Sequence, residues 1–277
     1  LTAQSTSPRV AAIQMVSADD LDQNLKAAAD LIASAAATDT QIVVLPENFA
    51  VLSADAQAKV KLAEPAGDGP IQQFLSDQAR QHGIVLVGGT IPILANEPGK
   101  VRAACLTVGP DGELLGRYDK IHLFDVALNS GKEQYNESAT IEHGENSCVI
   151  DTPWGKLGVA VCYDIRFPEL FRQMMVAGAQ IVALPSAFTA TTGLAHWEIL
   201  LRARAIENQC YLIAPDQGAG RERGRHTWGH SMIISPWGDI LAELDEQGSG
   251  VATAEINLQS LELLREKFPA LQHCRTL

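Results

Sequence analysis

Residues 41–49 read QIVVLPENF, and residues 180–188 read QIVALPSAF. Each is a run of apolar, largely β-branched residues that breaks at a proline, the pattern of a short strand buried on both faces. The likeness continues downstream, where VGPDGELLG at 108–116 matches ISPWGDILA at 234–242. In each half the hairpin follows the same order of patterns: strand, helix, strand, helix, strand. Such self-similarity is the mark of an internal duplication. Two halves, each with a sheet covered by helices on one face, must bury the other face. The simplest solution stacks sheet on sheet with the helices outside, an α/β fold forming a four-layer α-β-β-α sandwich with an internal pseudo-twofold. A single doubly wound sheet is the alternative, because strands that are apolar throughout fit either. We expect one domain over residues 1–277.

The remaining patterns fill in around these repeats. Strands are expected at 9–15, 84–90, 156–161, 211–214 and 251–256. Helices are expected at 21–37, 70–82, 168–177, 195–208 and 258–268. Residues 102–108 and 113–118 flank the turn Gly109-Pro110-Asp111-Gly112, and 232–235 and 240–244 flank Pro236-Trp237-Gly238-Asp239. Both turns read as hairpins. Residues 124–145 have no clear period and are expected to form a long loop, which in compact domains is often functional.

The 277 residues include 46% hydrophobic residues, enough for a sizeable core, and the net charge is −12. That charge argues against a non-specific nucleic-acid or anionic-membrane binder. No apolar run approaches the length of a membrane span. The first ten residues, LTAQSTSPRV, lack the charged and apolar regions of a secretory signal. Five scattered cysteines without a Cys-x-x-Cys spacing indicate neither a zinc ribbon nor a dithiol redox site. A reduced, cytoplasmic setting is expected.

The stretch 155–170, GKLGVAVCYDIRFPEL, carries the sharpest chemical signal. Its apolar run stops at Cys162, a polar turn comes next, and Pro168-Glu169 opens a helix. Cys162 is therefore placed at the C-terminal end of a strand, the ligand-binding end of an α/β sheet, with the geometry of a nucleophile elbow. The positive end of the adjoining helix would favour a thiolate. A lone cysteine ending an apolar strand is, taken by itself, more often an inert packed thiol. Glu47, just past the strand and proline of the first repeat, is costly there unless partnered or functional. A pseudo-twofold axis would bring it near Cys162. Lys120, in YDKIHLF, reads either as a snorkelling side chain or as a functional cation. Together, a cysteine nucleophile, a glutamate base and a lysine electrophile form a set that works without histidine. GHSM at 229–232 lacks the second glycine of a serine elbow, His122 and His196 have no zinc-motif partner, and no dinucleotide fingerprint adjoins the first strand.

Three ordered motifs resemble the nitrilase superfamily of carbon–nitrogen hydrolases: LPENF around Glu47, GRYDKIHLFD around Lys120 and GVAVCYDIRFPEL around Cys162. The similarity runs on through PSAFTATTGLAHWEILLRARAIENQCY and GHSMIISPWGDIL, so it covers essentially the whole chain. It implies the four-layer sandwich and a homodimer or higher homo-oligomer. It also implies Cys162 as nucleophile, Glu47 as general base, Lys120 as stabiliser of the tetrahedral intermediate and Glu137 as a second glutamate beside them. Tyr163, through its backbone N–H, Arg166 and Phe188 are expected around the oxyanion and the substrate. The implied reaction is hydrolysis of a small amide through a thioester with release of ammonia, using no metal and no organic cofactor. The region 192–198 resembles the branch of deaminated glutathione amidase and ω-amidase, although Leu194 stands where the family more often has proline. Substrates of that branch carry a carboxylate or keto acid. Arg166 and the arginines of GRERGRH at 220–226 (Arg221, Arg223 and Arg225) are candidates to hold it. The alternatives are an ion pair of Arg166 with Asp164 or Glu169 and a solvated surface for the loop. An N-carbamoyl-amide or nitrile hydrolase, and a non-catalytic binding protein on the same fold, are the competing functions.

Overall fold

The computed structural model describes residues 7–128, 133–220 and 225–275. The first half runs β1 (Arg9–Gln14), α1 (Leu21–Ala36), β2 (Ile42–Val44), α2 (Ala58–Lys61), α3 (Pro70–His82), β3 (Val85–Val87), β4 (Ile91–Leu94), β5 (Val101–Val108) and β6 (Leu114–Asp119). Asp20 caps α1 by accepting the Gln23 N–H at 3.0 Å. Pro70 opens α3 and Gly83, in the left-handed region, closes it. A hairpin, β7 (Asp125–Leu128) and β8 (Glu133–Asn136), and a 3-10 turn, Glu137–Ala139, occupy the stretch expected to be an unstructured loop. Its two strands are only four residues each and alternate in burial, too short to stand out as a period; residues 129–132 lie outside the described residues.

The second half runs β9 (Cys148–Thr152), β10 (Gly155–Val159), a 3-10 turn (Cys162–Arg166), α4 (Pro168–Val176), β11 (Ile181–Ala183), α5 (Ala190–Asn208), β12 (Tyr211–Ala214), β13 (Met232–Ile234) and β14 (Ile240–Glu243). β15 (Gly250–Glu255) and α6 (Leu258–Lys267) complete the chain. Helix α5 starts five residues before the expected position 195. Thr189 caps it, and its first turn, Ala-Thr-Thr-Gly, is poor in helix formers; tertiary packing overrides that propensity. Gly193 in that turn lies against Trp228 so closely that a Cβ would come within 2.1 Å of the ring.

The duplication is visible in the sheets. β1, β2 and β3 are parallel, with β5 antiparallel on β3. β10, β11 and β12 are likewise parallel, with β13 antiparallel on β12. The hairpins β5–β6 and β13–β14 even shift register at matching positions of the repeat, Thr107/Val108 and Ile233/Ile234. β15 returns to pair with β1, completing a seven-stranded sheet beside the six-stranded one.

The pleat decides the layers. Ala11, Ile13, Val43, Leu45 and Leu86 point to one face of the first sheet and pack with Ile32 of α1 and with Ile71 and Leu75 of α3. Their alternate neighbours Val10, Ala12, Ile42, Val44, Val85 and Val87 join Leu157, Val159, Ile181 and Leu212 of the second sheet in one core. That core continues to Phe171 and Met174 of α4 and to Trp197 and Leu201 of α5. The order is helices, sheet, sheet, helices. The single-sheet alternative is excluded.

One glycine shapes the end of β2. Gly89 has φ +55°, and a Cβ on it would lie 2.1 Å from the Pro46 carbonyl oxygen. Gly89→Ala should destabilise the protein by roughly 2–4 kcal/mol, from backbone strain plus this clash. A denaturant midpoint unchanged from that of the parent protein would contradict it.

Candidate active site

Four strand or turn ends deliver the expected side chains to one place. Glu47 lies just past β2, Lys120 just past β6 and Cys162 just past β10, while Glu137 opens the 3-10 turn after β8. Lys120 Nζ lies 2.8 Å from Glu47 Oε1 and 2.8 Å from Glu137 Oε2. The second Glu47 oxygen accepts the Ala187 N–H at 3.0 Å. The carboxylate of one repeat is thus held by the corresponding turn of the other. Gln217 fixes the backbone behind it, donating to the Glu47 carbonyl at 3.0 Å and to Ser17 Oγ at 2.9 Å. Glu137 Oε2 also accepts the Phe124 N–H at 2.9 Å, and Arg225 lies 3.8 Å from Oε1. Glu47, Lys120 and Glu137 are all buried.

Burial alone would lower the affinity of Lys120 for its proton, but Glu137, Glu47 and Cys162 together raise it above the ordinary lysine range. Burial pushes Glu137 up, while Lys120, Arg225 and Lys59 outweigh it and hold the carboxyl below its usual range. Both groups are ionised at neutral pH. Cys162 is the reverse. Burial, then the negative charge of Glu47, pushes its thiol well above the ordinary value, against the pull of Lys120 and Arg225. This direction favours the protonated thiol at rest over the thiolate that the helix end would favour. Cys162 opens a five-residue 3-10 turn rather than α4, so no full helix dipole points at the sulfur.

Cys162 has φ +49°, a left-handed conformation that a non-glycine residue adopts at sharp turns. The adjacent Tyr163 N–H lies in the first turn of the 3-10 segment, where backbone donors lack an intrahelical acceptor. Phe124, Tyr163, Arg166, Phe188 and Arg225 border a small crevice at Cys162, of about 10 Å³. Arg166 does not pair with Asp164 or Glu169. Its guanidinium lies over the rings of Tyr163 (5.8 Å) and Phe188 (5.4 Å) and approaches His196 Nδ1 at 3.3 Å. Arg225 is largely buried rather than solvated, donating to the Ala187 carbonyl at 3.0 Å and stacking 4.8 Å from the Tyr135 centroid. Arg221 and Arg223 lie outside the described residues.

The carbon–nitrogen hydrolase family profile matches residues 9–266. The chain belongs to this family. It is 42% identical over 266 residues to the deaminated glutathione amidase of Synechocystis, covering 95% of this chain and 96% of that one. It is 39% identical to the omega-amidase NIT2-A of Xenopus laevis, covering 94% of this chain and 92% of that one. Among solved structures, Nit3 of Saccharomyces cerevisiae, a member of branch 10 of the nitrilase superfamily, superposes with a TM-score of 0.86 at 35% identity, over 97% of each chain.

In this carbon–nitrogen hydrolase, an enzyme of non-peptide C–N bonds, the residue that sequence reasoning missed is Asp164. It is fully buried. Its Oδ2 accepts from Tyr118 Oη at 2.7 Å and from the Val161 N–H at 2.8 Å. Its Oδ1 meets both the His122 N–H at 3.1 Å and His122 Nδ1 at 2.7 Å. Tyr118 and His122 flank Lys120 in sequence, so Asp164 ties the lysine segment to the cysteine turn. The available signal was spacing: polar residues two before and two after Lys120, and an aspartate two after Cys162. Among the described residues no cluster of three or more His, Cys, Asp or Glu is arranged to hold a metal. No helix among them is long and apolar enough to cross a membrane.

Proposed function

We propose that this hydrolase cleaves the ω-amide of a small carboxylate-bearing substrate, of the deaminated glutathione or α-keto-ω-amide type, through a thioester on Cys162. The buried Glu47–Lys120–Glu137 cluster beside the cysteine turn carries the reading. Glu47 takes the thiol proton as the sulfur attacks the amide carbon, which suits a thiol that is protonated at rest. An ammonium has three N–H donors, and Lys120 uses two on Glu47 and Glu137. The third is left for the oxyanion, with the Tyr163 N–H as its partner donor. The tetrahedral intermediate collapses as Glu47 returns the proton to the departing nitrogen. A primary amide releases ammonia. Deaminated glutathione, whose ω-amide nitrogen belongs to cysteinylglycine, releases that dipeptide. Water, deprotonated by Glu47, then cleaves the thioester and regenerates the thiol. Glu137, held ionised with its Oε2 shared between Lys120 and the Phe124 N–H, acts by positioning Lys120 rather than by moving protons.

The similarity to proteins named deaminated glutathione amidase and omega-amidase supports this substrate class. The test is product release from deaminated glutathione, α-ketoglutaramate, N-carbamoyl amino acids and simple nitriles. Turnover of an ω-amide with kcat/KM at least about a hundredfold above the carbamoyl and nitrile compounds is expected. Preference for either of the latter, or turnover of none, would reject the substrate class.

A further inference from the structure

The crevice at Cys162 is small, about 10 Å³, yet a cavity of about 420 Å³ opens beside it. Glu137 and Arg225 border that cavity, as does Asn48, the residue after Glu47. Arg225 borders both spaces, so the cavity is the natural continuation of the crevice for the rest of a substrate. Its carboxylates are already engaged. Glu137 holds Lys120, Asp55 holds Lys61 at 3.0 Å, and Glu133 accepts from Thr191 at 2.9 Å and from Tyr135 at 3.2 Å.

Its cations are not equally engaged. Lys59, on the short α2, borders the same cavity and forms no ion pair among the described residues. Desolvation holds its ammonium below the usual lysine range, against the pull of Glu137 and Glu47; a bound carboxylate would oppose that shift further. Arg225 is fixed in place by the Ala187 carbonyl and by stacking between Tyr135 and Phe124, with its guanidinium carbon 4.8 and 5.5 Å from the ring centroids. Among the described residues, the carboxylates that act most strongly on both Lys59 and Arg225 are Glu137 and Glu47. An acidic protein of net charge −12 that holds an unneutralised lysine in a partly buried cavity has a local anion site against its overall field.

We propose that Lys59, with Arg225, forms a carboxylate-binding subsite in this cavity, which holds the charged end of the substrate while its amide enters the crevice at Cys162. The inference rests on the amidase reading and names the substrate feature that the site selects: a carboxylate several bonds from the scissile amide. Lys59 supplies a point charge, and Arg225 supplies a planar donor pair.

The experiment compares glutaramate with pentanamide, an amide of the same chain length without the carboxylate. The ratio of kcat/KM for the two is measured in the parent protein, Lys59→Gln and Lys59→Arg. Loss of one charge-assisted hydrogen bond to a carboxylate should lower the ratio about tenfold in Lys59→Gln, mainly through the KM for glutaramate, with partial recovery in Lys59→Arg. A fall of less than fivefold overturns the proposal. Glutarate binding to Cys162→Ala and to Cys162→Ala/Lys59→Gln, measured by calorimetry, decides the subsite independently of turnover. Weaker binding in the double variant by at least fivefold supports it, and equal binding rejects it. If neither amide is hydrolysed by the parent protein while glutarate binding depends on Lys59, the substrate reading fails and the subsite stands.

Discussion

Cys162→Ala should lower kcat/KM for any hydrolysed amide by at least about 10⁴-fold, because no other group in the site can form the acyl bond. The thiol is small, and alanine fills most of its space in a turn whose φ of +49° is set by the surrounding backbone. The stability change should therefore stay within about 1 kcal/mol, near the small end of core substitutions. The variant should keep the parent's denaturant midpoint and its affinity for small carboxylates. Mass spectrometry of the parent protein quenched during turnover should show the acyl group on the peptide containing Cys162 and not on Cys274, the exposed cysteine of the described residues. Retention of more than a hundredth of the activity in the variant would sink the covalent mechanism.

Lys120→Met should be worse for the protein as a whole. It leaves Glu47 and Glu137 buried without the cation that both share at 2.8 Å. Removing one partner from a buried charge cluster typically costs about 3–5 kcal/mol. Arg225, at 3.8 Å from Glu137, offsets only part of this. The pH dependence has a definite sign. In the parent, Glu137 is held below its usual range, so its contribution to stability is present at neutral pH and is lost as pH falls through its folded value. Without Lys120, burial dominates and the Glu137 carboxyl moves up; its penalty is fully present above the raised folded value and disappears as pH falls below the unfolded one. The deficit between variant and parent should therefore be large at pH 7.5 and clearly smaller at pH 5, measured by urea midpoints at both. Turnover should drop at least about 10³-fold through loss of the oxyanion donor. A deficit independent of pH would show that lost packing of the aliphatic chain, not charge, is responsible.

The two halves of the site differ in how far the residues alone revealed them. Glu47 and Cys162 stand at strand ends within patterns that repeat, so their placement came from the period of the apolar runs and the breaks that end them. The duplication places Glu47 at the end of one repeat strand, and in the fold the turn that follows QIVALP in the other repeat donates its Ala187 N–H to that carboxylate. Asp164 was less legible. Beside Arg166 in sequence, it invited a local ion pair; in the fold its four short contacts all run to the lysine segment and the strand end, while Arg166 turns to aromatic rings. Lys59 was not legible at all. It lies on a four-residue helix with no buried residue, and nothing in a local pattern marks an exposed-looking lysine as facing a cavity.

Local chemistry by itself determined most of the elements, their duplication and the candidate residues at strand ends, because strand period, proline breaks and residue type are properties of neighbours along the chain. Only the tertiary structure decided the ionisation of those groups and the shape of the site. Burial pushes the thiol toward its protonated form, and the lysine and Glu137 stay charged because strand ends and the β7–β8 hairpin bring them together. Desolvation and Coulomb forces depend on distance through space, and residues such as Lys59, Lys120, Glu137 and Arg225 come within range only when the chain has folded.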